Sequence, residues 1–421
     1  MLEFKMPTRE YIVVKFGGSC FDSGTGIREA ARIVKSLKER DFEVVIVVSA
    51  LQGTTDALIQ ISEEAVSGCI DETRRDEILS MGERTSAVLF ANILQMNDIK
   101  SEVFSPDQER FPILTDDQFG NANPLIKETR EKVQAVLLPV LKNGMVPVVC
   151  GFTGRTREGR VTTLGRGGSD TTAIILGNCL GAKEVILVKD VNGILSADPK
   201  KVDYPSFIEE IDVKELGILA SSGTEVVCFK ALNYKPSWMD VRIVGLTVNN
   251  VFENGTVIRG GYASSLEVDL FKAPVIMVTI VGRSAGSSKA LASYERIVRN
   301  RNDEILGEIV DPRSLLIYLS STDSENLLQE FHHVLDEEKF GRALTSFDNL
   351  AMVDIRGKKL ETIPGLIQSV SDPLFQTGIN LFGLLTVNST IRIFVRWEDR
   401  HKTIELIQNA LGVENTEEKH R

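Results

Sequence analysis

A lysine and two glycines follow the first apolar run of the sequence, in Lys15-Phe-Gly-Gly-Ser19. Glycines let a backbone approach a phosphate group closely, and the amides of such a turn can point at its oxygens. Lys15 adds positive charge of the kind that phosphoryl transfer needs. The motif is not a Walker A sequence, which requires GxxxxGK[ST]. An ordinary tight turn could have the same residues, so this segment alone is a weak indication of a phosphate site.

A second glycine-rich segment, TTLGRGGSDTT at 162–172, is more informative. Arg166 lies among three glycines, and Ser169 and Asp170 lie at a predicted helix start. This pattern offers helix N-terminal amides, a guanidinium group and a carboxylate within one turn. Arg166 suits a substrate carboxylate, whereas Asp170 can cap the helix, hold Lys15 in place, or do both. We therefore expect a binding loop here rather than a purely structural one.

Two further segments carry charge where a ligand could lie. Glu83 falls in an otherwise apolar helix between Gly82 and Ser86. It therefore either faces solvent or receives the ammonium group of a ligand. The polar turn that begins at Lys189 follows a buried strand, and nucleotides bind at the C-terminal ends of strands in parallel sheets. A plain surface loop is the alternative for this turn.

The composition excludes several other classes of function. All four histidines lie beyond residue 331, so the preceding residues cannot form a Ser-His-Asp triad or a histidine-built zinc site. The five cysteines include no CxxC pair, and we expect reduced thiols and no metal-binding residues. A net charge of −11 argues against nucleic-acid binding. The apolar runs are too short for a membrane span and the N-terminus does not resemble a signal peptide, so we expect a cytoplasmic protein.

The elements that would position these residues alternate through the first 260 positions. Near-continuous apolar strands between helices are typical of a mainly parallel sheet covered on both faces. The sequence thus predicts an α/β fold, an αβα sandwich with ligands at the C-terminal ends of the strands. The predicted strands are 11–16, 44–49, 146–150 and 184–189, and the predicted helices are 26–39, 54–67, 77–96, 127–142 and 170–180.

An internal repeat follows beyond about residue 262. Met277-Val-Thr-Ile-Val-Gly282 recurs as Met352-Val-Asp-Ile-Arg-Gly357, and the alternating apolar residues of 315–319 recur at 391–395. Each copy has the order strand, helix, strand, strand, helix, which begins a ferredoxin-like βαββαβ unit. Two such α+β units in tandem suit the binding of a small ligand. A structural dimerisation arm is the alternative.

Together these segments resemble the aspartokinase branch of the amino-acid kinase family. The resemblance covers residues 11 to about 260, with the motifs in the family's order, and the repeat resembles the family's paired ACT domains. It implies a kinase domain at 1–262 and ACT-like domains at 270–340 and 346–415. The matching motifs are KFGG at Lys15 to Gly18, TTD at Thr54 to Asp56, GExxSA at Gly82 to Ala87, TTLGRGGSDTTA at Thr162 to Ala173 and KDVxGIxxADP at Lys189 to Pro199.

The resemblance also implies a reaction. The enzyme would transfer the γ-phosphoryl group of ATP, bound with Mg²⁺, to the side-chain carboxylate of L-aspartate, giving 4-phospho-L-aspartate on the route to lysine, threonine, methionine and isoleucine. That carboxylate is already ionised near neutral pH, so no general base is needed. Lys15 and Asp170 would be catalytic, Glu83 would take the ammonium group of aspartate and Arg166 its α-carboxylate. The implied substrate-binding residues are Thr55, Glu83, Arg166 and Ser169, and the implied nucleotide-binding residues are Gly17, Gly18, Ser19, Lys189, Asp190, Asp198 and Lys200.

Several positions depart from the family pattern. Glu225 stands where a phosphate-contacting lysine is usual, Cys228 and Phe229 replace a His-Pro pair, and Lys200 replaces an arginine. A carboxylate beside a triphosphate should weaken nucleotide binding unless another cation, such as Lys230, compensates. We therefore predict weakened ATP affinity with activity retained.

Two other functions stay open on the sequence alone. One is a catalytically weak regulatory subunit that binds an amino acid through the repeats. The other is an amino-acid kinase for glutamate, acetylglutamate or a nucleotide. The usual Gly-Met effector loop is missing, because Gly282 is followed by Arg283, so the sequence does not identify an amino-acid effector. We expect a homodimer or higher homo-oligomer through the repeats.

Overall fold

The computed structural model describes residues 10–65, 70–221, 227–261, 266–321, 323–357, 360, 365–387 and 390–413. Contacts between Cα atoms divide the chain into two compact units, Met1–Tyr262 and Ala263–Arg421. Within the described ranges, no helix is long and apolar enough to cross a membrane.

The first unit is built on an eight-stranded sheet with helices on its faces, and strands β5 with β6 and β8 with β9 form two small separate sheets. The strands of the unit are β1 (Tyr11–Phe16), β2 (Glu43–Val48), β3 (Ser101–Phe104), β4 (Val146–Cys150), β5 (Thr153–Arg155), β6 (Val161–Thr163), β7 (Glu184–Lys189), β8 (Ile194–Leu195), β9 (Phe207–Ile208), β10 (Glu210–Asp212), β11 (Asp240–Gly245) and β12 (Thr256–Arg259). Its helices are α1 (Gly24–Glu39), α2 (Thr54–Ala65), α3 (Glu72–Met96), α4 (Ile126–Lys142), α5 (Gly168–Leu180), α6 (Val213–Ser221) and α7 (Phe229–Leu232).

The strand order of this sheet is β10-β12-β11-β7-β1-β2-β4-β3. Every neighbouring pair is parallel except β11 with β12. Residues 44–48 of β2 are fully buried, as expected for an apolar strand covered on both faces. The predicted mainly parallel α/β fold is therefore confirmed.

The predicted strands and helices of this unit are all present, with small differences in their ends; residues 66–67 of the predicted helix 54–67 lie outside the described residues. The largest concerns α3, which begins at Glu72 instead of Glu77 because Asp71 caps it by accepting a hydrogen bond from the Arg74 amide. The charged first turns of this helix have no apolar periodicity that could have revealed them. Strands β3, β5 and β6 and the strands after β7 were not predicted, because most are two to four residues long and lack a continuous apolar run.

The second unit contains an antiparallel sheet with the strand order β15-β16-β14-β17-β19-β18, and β13 pairs with β17. Its strands are β13 (Glu267–Leu270), β14 (Val275–Val281), β15 (Glu304–Asp311), β16 (Ser314–Ser320), β17 (Ala343–Arg356), β18 (Gly383–Val387) and β19 (Thr390–Arg396). Its helices are α8 (Ser288–Arg301), α9 (Ser324–Glu338), α10 (Leu366–Gln376) and α11 (Arg400–Leu411).

The internal repeat corresponds to two successive strand-helix-strand-strand-helix segments. The first contains β14, α8, β15, β16 and α9, and the second contains β17, α10, β18, β19 and α11. Strand β17 joins them, because residues 343–350 pair with β14 and residues 350–356 pair with β19. The division into two ACT-like domains, with a boundary between 340 and 346, stays a prediction.

Candidate active site

Two neighbouring strands of the parallel sheet, β1 and β7, end at a cluster of charged side chains. The Nζ atom of Lys15 lies 2.7 Å from Oδ1 of Asp170, and the Nζ atom of Lys189 lies 3.0 Å from Oδ2 of the same carboxylate. Lys15 is at the end of β1, Lys189 is at the end of β7, and Asp170 comes from the first turn of α5. One carboxylate therefore holds two ammonium groups where the strands end.

Asp170 is buried and ionised. Burial alone would raise its pKa, but Lys15 and Lys189 outweigh this effect and lower the pKa from 3.8 to about 2. The cluster thus carries one excess positive charge near neutral pH. Helix α5 begins after Gly167 without a side-chain cap. Of the two roles predicted for Asp170, the structure shows the contact with Lys15 and not the helix cap.

A cavity of about 400 Å³ opens beside this cluster. Its lining brings together most of the predicted substrate and phosphate residues from four separate segments of the chain. It includes Lys15, Gly18, Ser19, Thr55, Glu83, Arg166, Ser169 and Asp170. Gly17 is not among the lining residues, although a Cβ atom added to Gly17 would lie 3.6 Å from the Lys15 ammonium nitrogen.

Glu83 contributes a buried carboxylate to this cavity from the interior of α3. Glu83 is 3% exposed, and burial raises the pKa of its carboxyl group from 4.5 to about 7. Oε1 accepts a hydrogen bond of 3.0 Å from the Ala50 amide, whereas Oε2 has no hydrogen-bond partner among the described residues. An unpaired, buried carboxylate oxygen beside a cavity is suited to a cationic group of a ligand.

The close approach of α3 to the turn after β2 depends on Gly82. A Cβ atom at this position would lie 2.7 Å from the Cβ atom of Ala50, which is closer than carbon atoms can pack. A larger residue would therefore push the helix away from the turn. The glycine that precedes Glu83 in the sequence motif thus has a steric role.

The glycine-rich segment 164–168, which we call the Arg166 loop, connects β6 to α5. Gly165 and Gly167 have φ angles of 73° and 70°, in the left-handed region that glycine adopts without strain. Side chains of Arg166 and Ser169 face the cavity that also contains Glu83. Phe152, which the sequence analysis did not select, lines the same cavity and has a φ angle of 63°, an uncommon value for a bulky residue.

A second cavity, of about 280 Å³, shares Ser19 with the first cavity. Lys189 and Asp190 line it together with residues from the ends of β1 and β11. Asp198 and Lys200 line neither cavity. They contact each other instead, because the Lys200 amide donates a 2.9 Å hydrogen bond to Asp198. These two predicted nucleotide-binding residues therefore do not share a cavity with Lys189 and Asp190.

Asp76 is a buried polar residue that sequence reasoning missed. It is 0% exposed, and its carboxylate accepts hydrogen bonds from the Gly120 amide and from both the amide and the hydroxyl of Thr163, at 2.7–2.9 Å. It thereby fixes the end of β6, just before the Arg166 loop, to α3. Its surroundings in sequence, Arg-Arg-Asp-Glu, look like a solvated helix end and carry no signal of burial.

Glu225, the charge reversal noted above, lies outside the described residues. Lys230, which was considered as a compensating cation, is described. Its Nζ atom donates hydrogen bonds to the Asn121 side chain and to the carbonyl oxygens of Leu164 and Ala122. The Lys230 ammonium thus lies against the Arg166 loop.

The family model for the amino acid kinase family matches residues 10–244, more than half of the chain. The chain therefore belongs to this family of phosphotransferases. Two relatives that match this chain over nearly their whole length are aspartokinases. It is 30% identical to an aspartokinase of Rickettsia felis, over 96% of this chain and 99% of that protein. It is 29% identical to aspartokinase 2 of Bacillus subtilis, over 95% of this chain and 97% of that protein.

Solved structures show the same fold. An aspartate kinase from Synechocystis superposes with a TM-score of 0.76 at 22% identity, covering 96% of this chain and 70% of that one. E. coli aspartokinase III, in complex with aspartate and ADP, superposes with a TM-score of 0.55 at 24% identity, covering 96% of this chain and 100% of that one. At identities of 22% and 24%, these superpositions show that this chain shares the fold of the two structures and nothing further.

Proposed function

We propose that this chain is an aspartate kinase, which uses ATP to phosphorylate the side-chain carboxylate of L-aspartate and produces 4-phospho-L-aspartate and ADP. The observation that carries the proposal is the Lys15–Asp170–Lys189 cluster beside a cavity that contains the unpaired carboxylate of Glu83. The aspartokinase relatives and the aspartate and ADP bound to E. coli aspartokinase III support the choice of substrates.

In this proposal, L-aspartate occupies the larger cavity. Its ammonium group pairs with Oε2 of Glu83, and its α-carboxylate pairs with the guanidinium group of Arg166, which can bind both oxygens at once. Thr55 and Ser169 supply hydroxyl groups at the rim. The side-chain carboxylate then points toward the ammonium group of Lys15. The ammonium and α-carboxylate groups, which share the Cα atom, are thus held at one end of the amino acid, and this determines the direction of its side chain in the cavity.

Phosphoryl transfer would take place at the charged cluster. An oxygen of the aspartate side chain attacks the γ-phosphorus, the bond from that phosphorus to the β,γ-bridging oxygen breaks, and ADP leaves with the electron pair. No proton moves. Lys15 and Lys189 neutralise charge on the transferred group, Asp170 holds both lysines in place, and the amides of Gly18 and Ser19 face the phosphate oxygens. The Gly17 amide donates instead to the carbonyl oxygen of Val188, at 3.1 Å. Catalysis is then positioning together with charge neutralisation.

The nucleotide would occupy the smaller cavity, with Lys189 and Asp190 beside its phosphates. Asp198 and Lys200 could contribute only if the nucleotide extends beyond that cavity. Among the described residues there is no group of three or more His, Cys, Asp or Glu side chains that could hold a metal ion. The Mg²⁺ ion of the proposed reaction would be carried by the ATP phosphates and would stabilise their charge, with few protein ligands.

The second unit would bind an amino-acid effector and form the contact between subunits of a homodimer or higher homo-oligomer. A structure of E. coli aspartokinase III with lysine and aspartate bound provides an analogy for such an effector. Light scattering of the purified chain tests the assembly, and a strictly monomeric mass at working concentration would contradict it. Inhibition assays with single amino acids test the effector.

The decisive experiment measures acyl phosphate formed from L-aspartate, trapped as the hydroxamate, at saturating ATP and Mg²⁺. Glutamate and buffer without an acceptor are the controls. We expect aspartate-dependent product that Lys15→Ala removes. If the wild-type chain forms no product while remaining folded, the proposal is wrong and the chain is better explained as a regulatory subunit that binds an amino acid.

A further inference from the structure

Within the Arg166 loop, the Gly168 amide donates a 3.0 Å hydrogen bond to the Gly165 carbonyl oxygen, and the glycines add little further restraint of their own. Three of its five residues are glycines, and two of these have positive φ angles. Glycine has more backbone freedom than any other residue, so such a loop samples many conformations unless other groups fix it. A guanidinium group that must bind a carboxylate at a defined angle needs a defined backbone beneath it. The loop must therefore be held by its neighbours.

Lys230 holds the beginning of this loop. Its Nζ atom lies 2.7 Å from the carbonyl oxygen of Leu164, the first loop residue, and 2.7 Å from Oδ1 of Asn121. A third hydrogen bond, of 3.3 Å, reaches the carbonyl oxygen of Ala122. The lysine therefore connects the loop to the adjacent turn at 121–122 through a single charged group, two residues before Arg166.

Packing contacts from Asn121 and Cys228 also restrain the Arg166 loop. A Cβ atom on Gly165 would lie 2.6 Å from Oδ1 of Asn121, the oxygen that Lys230 binds. On the other side, Cys228 donates a 3.1 Å hydrogen bond from Sγ to the carbonyl oxygen of Arg166, and a Cβ atom on Gly167 would collide with Cys228. The segment 228–230 thus contacts the loop both before and at the arginine.

We propose that Lys230 is a positioning residue for substrate recognition: it fixes the Arg166 loop so that the guanidinium group meets the α-carboxylate of the amino-acid substrate. This inference rests on the proposed function. The described hydrogen bonds of Lys230 connect the Arg166 loop to the 121–122 turn, which places its ammonium group beside the amino-acid side of the site. Lysine at this position supplies three donors to three oxygens, which a neutral side chain cannot do.

The test compares the KM values for L-aspartate and for ATP in Lys230→Met and Lys230→Arg variants. We expect Lys230→Met to raise the aspartate KM at least tenfold and to leave the ATP KM within twofold of the wild-type value. The Lys230→Arg variant, which retains a cationic donor, should lie between Lys230→Met and the wild type. Lys183→Met is the matched control, because Lys183 precedes β7 at the opposite end of the sheet and pairs with the exposed Glu10. Both KM values should be unchanged in that control.

A double-mutant cycle tests whether Lys230 acts through the arginine. In an Arg166→Ala background, Lys230→Met should change the aspartate KM by less than twofold. An equal loss in both backgrounds would overturn the proposal, as would a rise in the ATP KM that matches the rise for aspartate. If circular dichroism shows that Lys230→Met does not fold, Asn121→Ala removes one partner of the lysine. It should raise the aspartate KM about threefold, and an unchanged value would contradict the proposal.

These outcomes are separate from the test of the proposed function. If the wild-type chain makes no aspartyl hydroxamate, the aspartate kinase assignment fails before any variant is compared. If the wild type is active and the Lys230 variants behave like it, the assignment stands and the positioning role is wrong.

Discussion

Glu83 makes the proposed aspartate site sensitive to pH in a predictable way. Burial raises its pKa from 4.5 to about 7, which at 1.36 kcal/mol per pH unit corresponds to ~3 kcal/mol of cost for ionising the carboxylate in the empty site. The substrate ammonium needs the ionised form. We therefore expect kcat/KM for L-aspartate to be constant above pH 7 and to fall about tenfold for each pH unit below it.

The bound substrate should remove this dependence. An ammonium group beside Oε2 lowers the pKa of Glu83, so kcat at saturating aspartate should stay level between pH 6 and 8. The assay is hydroxamate formation at saturating ATP and Mg²⁺, with aspartate varied at each pH. Glu83→Gln should lower kcat/KM by about 10²-fold at pH 8, the factor that ~3 kcal/mol represents, and should flatten the profile.

Stability provides a second readout of the same group. The pKa of Glu83 is higher in the folded state than in the unfolded state. Ionising the buried carboxylate therefore destabilises the folded state, and this destabilisation is absent below pH 4.5 and complete above pH 7. Glu83→Gln should therefore raise the free energy of unfolding at pH 8, by up to ~3 kcal/mol, and leave it unchanged at pH 4. A level kcat/KM profile in the wild type, or the same decline in Glu83→Gln, would refute the reasoning.

Three further substitutions test the rest of the site. Lys15→Met should lower kcat by about 10²–10³-fold with a smaller change in the aspartate KM, measured by steady-state kinetics, and an effect confined to KM would contradict its catalytic role. Asp170→Asn should lower the free energy of unfolding by about 3–5 kcal/mol at pH 7 because it leaves two ammonium groups together. Since the pKa of Asp170 is lowered from 3.8 to about 2, its contribution is complete above pH 3.8, and the thermal midpoints of variant and wild type should converge as the pH falls toward 2. Gly82→Ala should raise the aspartate KM about tenfold by pushing Glu83 from its place, since a one-ångström misplacement can cost that much or more. Gly24→Ala, where an added Cβ would meet only the flexible Arg28 side chain at 3.5 Å, should not.

The parts of the site that the sequence predicted are those that local motifs determine. Glu83 and Arg166 each lie next to a glycine whose conformation or small size serves the site, and Lys15 lies two residues before a pair of glycines, so the pattern of residue types carried the signal. The pairing of Lys189 with Asp170 could not be predicted, because it depends on β7 lying directly beside β1. The sequence placed Lys189 on a turn that could equally have been a plain surface loop.

Asp76 was missed, and Lys230 was considered only as a cation beside the nucleotide, because both act through contacts between distant segments. Asp76 and Lys230 each bind backbone groups far away in sequence, and neither lies in a pattern that distinguishes it from a surface charge. In the second unit, the repeat predicted the strand at 352–357, but β17 begins at Ala343. Its first half contains Asp348 and Asn349, and Asn349 has a φ angle of 57°. That conformation is unusual within a strand and interrupts the alternation by which strands are recognised.

The sharing of β17 between the two repeats has a consequence for how the second unit unfolds. A single strand of 14 residues supplies the neighbour of β14 through its first half and the neighbour of β19 through its second. Melting the first half would leave β14 without this neighbour, and melting the second half would leave β19 without it, so either event would expose an unpaired strand edge. The repeats should therefore unfold in one cooperative transition although each has its own apolar core. A molecule that binds to one repeat would then protect the amide hydrogens of both from exchange with solvent.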